Sequence, residues 1–195
     1  MLKKILLAAV FAATASFAQV SFGAHLGLGV NTLWGDDTED IGAGVGFNVG
    51  GAAKISLPAL PVTFTPQLLV DMRNFDLERG GTEVGITTWA LDIPILVRFD
   101  AIPVLYIQGG PQFAFNLSTS SDEVAGTSIE DWYEFNTFEF DFVVGVGTGI
   151  VPFVDLDFRI VLGITDWMSE EKGMLGADAL DMANMQFVLG ATYWF

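Results

Sequence analysis

The feature that most constrains this chain is an alternation of apolar and small or polar residues that recurs in eight long runs. From Val20 the apolar residues fall on every second position through Phe22, Ala24, Leu26, Leu28 and Val30, with Gly23, His25, Gly27, Gly29 and Asn31 between them. That is the period of a β-strand with two unlike faces. The second run, Ile41 to Ile55, sets Ala43, Val45, Phe47 and Val49 against Gly42, Gly44, Gly46, Asn48 and Lys54. The third spans about Leu60 to Arg73, the fourth Trp89 to Phe99 and the fifth Leu105 to Leu117. The sixth begins at Phe138 and reaches Gly147, the seventh runs from Val154 to Thr165, and the last from Asn184 to Phe195. Pro66 within the third run is expected at a bulge or near a strand end, because proline cannot donate to a ladder.

Such runs suit a tilted strand that crosses a bilayer. A soluble sandwich turns its apolar face inward and its polar face to water. Here the polar-parity face is rich in glycine and reads as holding few large groups, which suits a narrow lumen, while the bulky face suits lipid. Only a closed sheet leaves no unpaired edge in hydrocarbon. The expected fold is all-β: an eight-stranded antiparallel transmembrane β-barrel with up-and-down meander order.

The connections agree with this. Those after the second, fourth and sixth runs are short: Ser56–Ala59, Asp100–Pro103 and Thr148–Pro152. Those after the first, third, fifth and seventh are longer and mostly acidic. They include Asp36–Asp40, Asp76–Glu83, Ser118–Asn136 and Asp166–Asp181. Short turns on one side and long loops on the other are the pattern of outer-membrane barrels. This resolves a tension in the composition: half of the residues are hydrophobic, yet the formal net charge is −16. The acids sit mostly in outer loops and the apolar residues on the walls.

Residues 1–18 read as a signal peptide and 19–195 as the barrel domain. Lys3 and Lys4 form a basic start, Ile5 to Ala15 an apolar stretch too short to span comfortably, and Ser16-Phe17-Ala18 a cleavage site. Removing the two lysines takes the net charge from −16 to −18. The expected location is the bacterial outer membrane, reached by export. The chain has no cysteine, which excludes a disulfide framework, a thiolate metal site and a cysteine nucleophile. Eight Lys and Arg provide no stripe for a phosphate backbone, so nucleic acid is excluded as a partner.

Two passages resemble a known family. Ala90-Leu91-Asp92-Ile93-Pro94-Ile95-Leu96-Val97-Arg98-Phe99 is similar to the Leu-acid-Ile-Pro strand of the small PorT-type outer-membrane β-barrel domain family. Tyr106-Ile107-Gln108-Gly109-Gly110-Pro111-Gln112-Phe113 resembles that family's next strand, and Phe140-Asp141-Phe142 with Gly145 and Gly147 its Asp-then-Gly strand. The resemblance implies an eight-stranded barrel. A role as accessory to a secretion complex would follow from fold analogy alone. Tyr193 and Phe195, on the apolar parity of the last run, resemble the C-terminal signal read by the outer-membrane barrel assembly machinery.

The inward parity carries Lys54, Asp71, Arg73, Asp92, Arg98, Glu139, Asp141, Asp155, Asp157 and Arg159. A small barrel's interior is filled by side chains, and a buried charge needs a partner. These residues are therefore expected to form a lumen charge network rather than a conduction path. His25, the only histidine, lies too deep on the first strand and lacks a Ser-plus-acid constellation, so no catalytic role is expected. Asp36, Asp37, Glu39 and Asp40 crowd hard oxygens without calcium-loop spacing. They read as a solvated rim that meets lipopolysaccharide through diffuse cations, and no metal or cofactor is expected. Outward aromatics such as Trp89, Phe99, Phe113, Phe115, Phe138 and Phe140 suit interfacial girdles.

The functional expectation is a non-enzymatic integral outer-membrane protein with a structural or surface-interaction role through acidic extracellular loops. Its partners would be lipid, lipopolysaccharide, the assembly machinery and an unidentified protein at the loops. The alternative is a narrow porin-like channel or carrier for small solutes.

Overall fold

The computed structural model describes residues 19–35, 41–56, 61–79, 82–102, 104–121, 133–166, 168–171 and 183–195. Eight strands close a barrel: β1 (Gln19–Trp34), β2 (Ile41–Ser56), β3 (Val62–Arg79), β4 (Thr82–Ile102), β5 (Leu105–Ser121), β7 (Phe138–Val151), β8 (Val154–Asp166) and β10 (Ala183–Trp194). Each strand pairs antiparallel with its sequence neighbour in the barrel, and β1 pairs with β10 to close the ring. Two short strands, β6 (Tyr133–Phe135) and β9 (Met168–Glu171), lie in the β5–β7 and β8–β10 connections and pair with each other. Two long outer connections are thus tied together above the barrel.

Burial follows the period-two parity. On β1, Phe22, Leu26, Leu28 and Val30 are exposed while Gly23, His25, Gly27 and Asn31 are buried. The same holds on β8, where Asp155, Asp157, Arg159 and Val161 are buried and Leu156, Phe158 and Ile164 are exposed. A water-soluble protein would invert this relation; in lipid, the exposed apolar wall is the favourable surface.

Three expectations about the strands need correction. Within the Asp76–Glu83 stretch, residues 76–79 and 82–83 are strand rather than loop: Asp76 pairs with Gly85, Leu77 with Val84, Glu78 with Glu83 and Arg79 with Thr82. β3 and β4 therefore have 18 and 21 residues and rise well past the span that a bilayer needs. Likewise β5 runs on to Ser121, paired with Ile86, into the segment read as loop from Ser118. Pro66 lies in the interior of β3, paired with Ile95 of β4 without a shift of register. Its missing donor is accommodated on the β2 side, where pairing passes from Phe64↔Ile55 to Gln67↔Ala52 and steps over Thr65 and Pro66. The inner face is also less empty than its glycines suggest: Leu69, Phe75, Leu96, Val143, Val161 and Val188 are all buried within it. Leu96, Val143 and Val161 cluster into an apolar layer.

Residues 1–18 and the acidic 36–40 segment lie outside the described residues.

Candidate functional site

The lumen brings together the inward charges that parity placed on separate strands, and it does so at three levels. Nearest the loop side, Arg73 of β3 is fully buried. Its Nε donates to Asp71 Oδ2 (2.7 Å), Nη2 donates to both Asp92 oxygens (3.0 and 3.1 Å), and Nη1 donates to Glu139 (3.3 and 3.4 Å). Amides complete the shell. Gln112 Nε2 donates to Asp92 and Asp141, Asn116 Nδ2 to Glu139, and Gln186 Nε2 to Asp71. Charge-assisted bonds of this kind are the strong ones, and a guanidinium's planar fork of five donors suits it to serve several carboxylates at once.

At mid-height Arg159 of β8 forks onto Asp157 through Nε and Nη2. Its Nη1 reaches Gln67 Oε1 of β3 at 2.7 Å. β8 and β3 stand opposite each other in the ring of eight, so this bond crosses the full width of the lumen. His25 sits at this level, with Nδ1 2.8 Å from Thr192 Oγ1. Gly190 lies between them because nothing larger fits: a Cβ there would stand 2.8 Å from His25 Cε1 and 2.9 Å from Asp157 Oδ1.

On the turn side, one oxygen of Asp155, Oδ2, accepts three bonds. Lys54 Nζ of β2 donates at 2.9 Å, Arg98 Nη1 of β4 at 2.5 Å and Trp194 Nε1 of β10 at 2.8 Å. Lys54 and Arg98 reach across the lumen from the two strands flanking β3, and Trp194 comes from β10 beside β8. Arg98 also donates to Asp100 (2.7 Å), and its Cζ lies over the Tyr106 ring, 3.6 Å from the centroid. Lys54 sits 4.8 Å from the centre of the Trp194 ring. Both are cation–π geometries, which gain strength where water is scarce.

Lys54, Asp71, Arg73, Asp92, Arg98, Glu139, Asp155, Asp157 and Arg159 all take part in ion pairs. Among the described residues, Asp141 joins by a hydrogen bond from Gln112. Parity missed Gln67, Gln112, Gln186, Tyr106 and Trp194 as members. Their inward position was legible, but their role as lumen-crossing donors and acceptors depends on barrel stagger.

Tyr193 and Phe195 face outward at the turn-side end of the seam, their rings 5.8 Å apart, and the Phe195 amide donates to the Phe22 carbonyl of β1. On the outer wall toward the loops, Phe113 contacts Phe138 and Phe140, and Phe47 meets Trp89 edge-on at 5.9 Å.

A family model described as outer membrane protein beta-barrel domain matches residues 13–169. Among solved structures, Neisserial surface protein A superposes with a TM-score of 0.55 at 13% identity, over 91% of this chain and 99% of that one. Ail, the attachment invasion locus protein of Yersinia pestis, solved with the heparin analogue sucrose octasulfate, gives 0.54 at 12% identity over 91% and 99%. At such identity the likeness speaks to fold. No curated protein matches the chain.

Proposed function

Because this chain belongs to the outer membrane protein β-barrel domain family, and so is an outer-membrane barrel, we propose that it acts at the cell surface through its acidic extracellular loops and does not conduct solutes. The observation that carries this reading is the bonding of Asp155 on β8 to Lys54 and Arg98, which reach it across the lumen from β2 and β4, backed by the Arg159–Gln67 bond across the diameter. A solute would have to break buried, charge-assisted bonds at three successive levels, and each broken bond leaves a desolvated charge. The loop end, by contrast, is built up: long β3 and β4, with β6 and β9 bridging two connections. The rim beneath that bridge is also tied. Asn136 Nδ2 donates to the Asp166 carbonyl at 2.7 Å, and Asn116 Nδ2 to the Asn136 carbonyl.

The Yersinia protein of the same fold was crystallised with a polyanion. A chain of net charge −16 would repel such a ligand, so the loops of this one would favour a basic or cation-bridged surface, lipopolysaccharide with its diffuse cations included. The narrower PorT-type kinship rests on the Leu91-Asp92-Ile93-Pro94 strand and its neighbours, and export by a cleaved signal on residues 1–18. The functional reading is tested by liposome swelling. Vesicles carrying the barrel should swell in small sugars and amino acids no faster than empty ones. Accelerated swelling would favour the channel or carrier instead.

A further inference from the structure

The turn-side rim has an unusual chemistry. Turns that face water are dominated by Gly, Pro, Asn, Asp and Ser. Here the turns carry Ile102, Val104, Leu105, Ile150, Val151 and Phe153, all exposed, and, among the described residues, the one exposed carboxylate beside them, Asp100, is paired with Arg98. Every one of the three short connections carries proline in the sequence: Pro58 and Pro61, Pro103, and Pro152. Phe153 adopts φ 65° and is 69% exposed. That left-handed conformation disfavours a bulky side chain and would suit Gly or Asn. The strain is retained while an aromatic ring is displayed outward.

Three bonds tie the described backbone of this rim from within. The Asp100 amide donates to the Pro61 carbonyl (3.3 Å), Thr148 Oγ1 to the Val104 carbonyl (2.6 Å), and the Trp194 amide to the Phe153 carbonyl (2.8 Å). Proline adds no donor that would need a partner. Apolar side chains, absent donors and internally bonded carbonyls are together what a segment in hydrocarbon requires. The apolar surface is also continuous with the lipid-facing wall, through Phe99 and Ile107 beside one turn and Leu156 beside the other.

We infer that the turn-side rim is sunk into the periplasmic leaflet of the outer membrane, with lipid rather than water or a periplasmic protein covering its tips. Phe153 is then an anchor in the acyl region. The inner plug formed by Lys54, Arg98 and Asp155 lies behind this rim, with its charges turned to the lumen and away from lipid.

The cysteine-free chain allows clean spin labelling. Val104→Cys and Ile150→Cys would be labelled in the full barrel refolded into phosphatidylethanolamine/phosphatidylglycerol vesicles, with Leu156→Cys as wall control and Ser120→Cys as loop-side control. The label at 104 and 150 should collide with oxygen in preference to a water-soluble nickel chelate, in the same ratio as at 156. Nickel access equal to that at 120 would overturn the inference and is what a rim reserved for a periplasmic protein would give. Phe153→Asn separates the readings a second way. It relieves the backbone strain, so a water-facing turn should fold as well or better in vesicles. Loss of folded barrel in vesicles, with none in detergent micelles, is the result expected for an embedded turn, and undiminished folding in vesicles would contradict it.

Discussion

The two ends of the lumen solve the same electrostatic problem in opposite ways. On the loop side one cation, Arg73, serves Asp71, Asp92 and Glu139 directly, with Asp141 nearby, and amide donors share the load. On the turn side two cations, Lys54 and Arg98, converge on one oxygen of Asp155, while Arg98 holds Asp100 as well. The loop-side cluster therefore hangs on a single residue, and the turn-side cluster is redundant in its cations. The loop-side cluster is also less satisfied: among the described residues, no donor reaches Asp141 Oδ1 or Asn116 Oδ1. A network with one hub should fail sharply when the hub is removed, and a network with two donors should fail gradually.

The largest effect should come from Arg73→Met, which strands three buried carboxylates. A loss of about 3–5 kcal/mol is expected in urea unfolding of the refolded barrel, the scale for breaking a buried pair. If Arg73→Met cost no more than Arg98→Met, the hub account would break. Asp155→Asn comes next. It weakens the shared acceptor of Lys54, Arg98 and Trp194, and should cost about 1.5–3 kcal/mol by the same measurement, the range for hydrogen bonds to charged groups. Gly190→Ala should cost about 1–3 kcal/mol as an overpacking change, because its Cβ would press on His25 and Asp157. The companion change His25→Ala should recover part of that loss, and no recovery would place the clash elsewhere. The smallest effect belongs to Lys54→Met. Its side chain is 23% exposed and Arg98 remains on Asp155, so about 1 kcal/mol or less is expected. A larger loss would show that the two turn-side cations are not interchangeable.

Much of this architecture was legible before any coordinates. Parity alone assigns the barrel strands and correctly divides inward from outward, because lipid on one side and a narrow lumen on the other enforce a strict two-residue repeat. Strand ends were less legible. Acidic residues at Asp76, Glu78 and Glu83 suggested a loop, yet β3 ends at Arg79 and β4 begins at Thr82. The intervening Gly80-Gly81 is itself a hairpin signal that the charge pattern obscured. Polar residues there are compatible with strand because that stretch rises beyond the span a bilayer needs. The network was half legible. Parity finds Arg159 and Asp157 on β8 but cannot find Gln67 opposite, since which residues meet across a lumen depends on stagger and tilt. Trp194 was passed over for Tyr193 and Phe195, the outward pair that frames it. Its own indole points inward to Asp155. The apolar layer of Leu96, Val143 and Val161 was hidden because each of these residues sits on the polar parity of a strand whose other face is also apolar.

The central claim is that bonded side chains close the lumen. Single-channel recording in a planar bilayer tests it most directly, using refolded protein whose closure is verified by heat-modifiable migration. The account predicts silence from the native barrel, and brief openings at most from a variant that combines Asp155→Asn with Arg159→Gln. Steady conductance from the native barrel that shifts with Asp92→Asn or Arg159→Gln would contradict it.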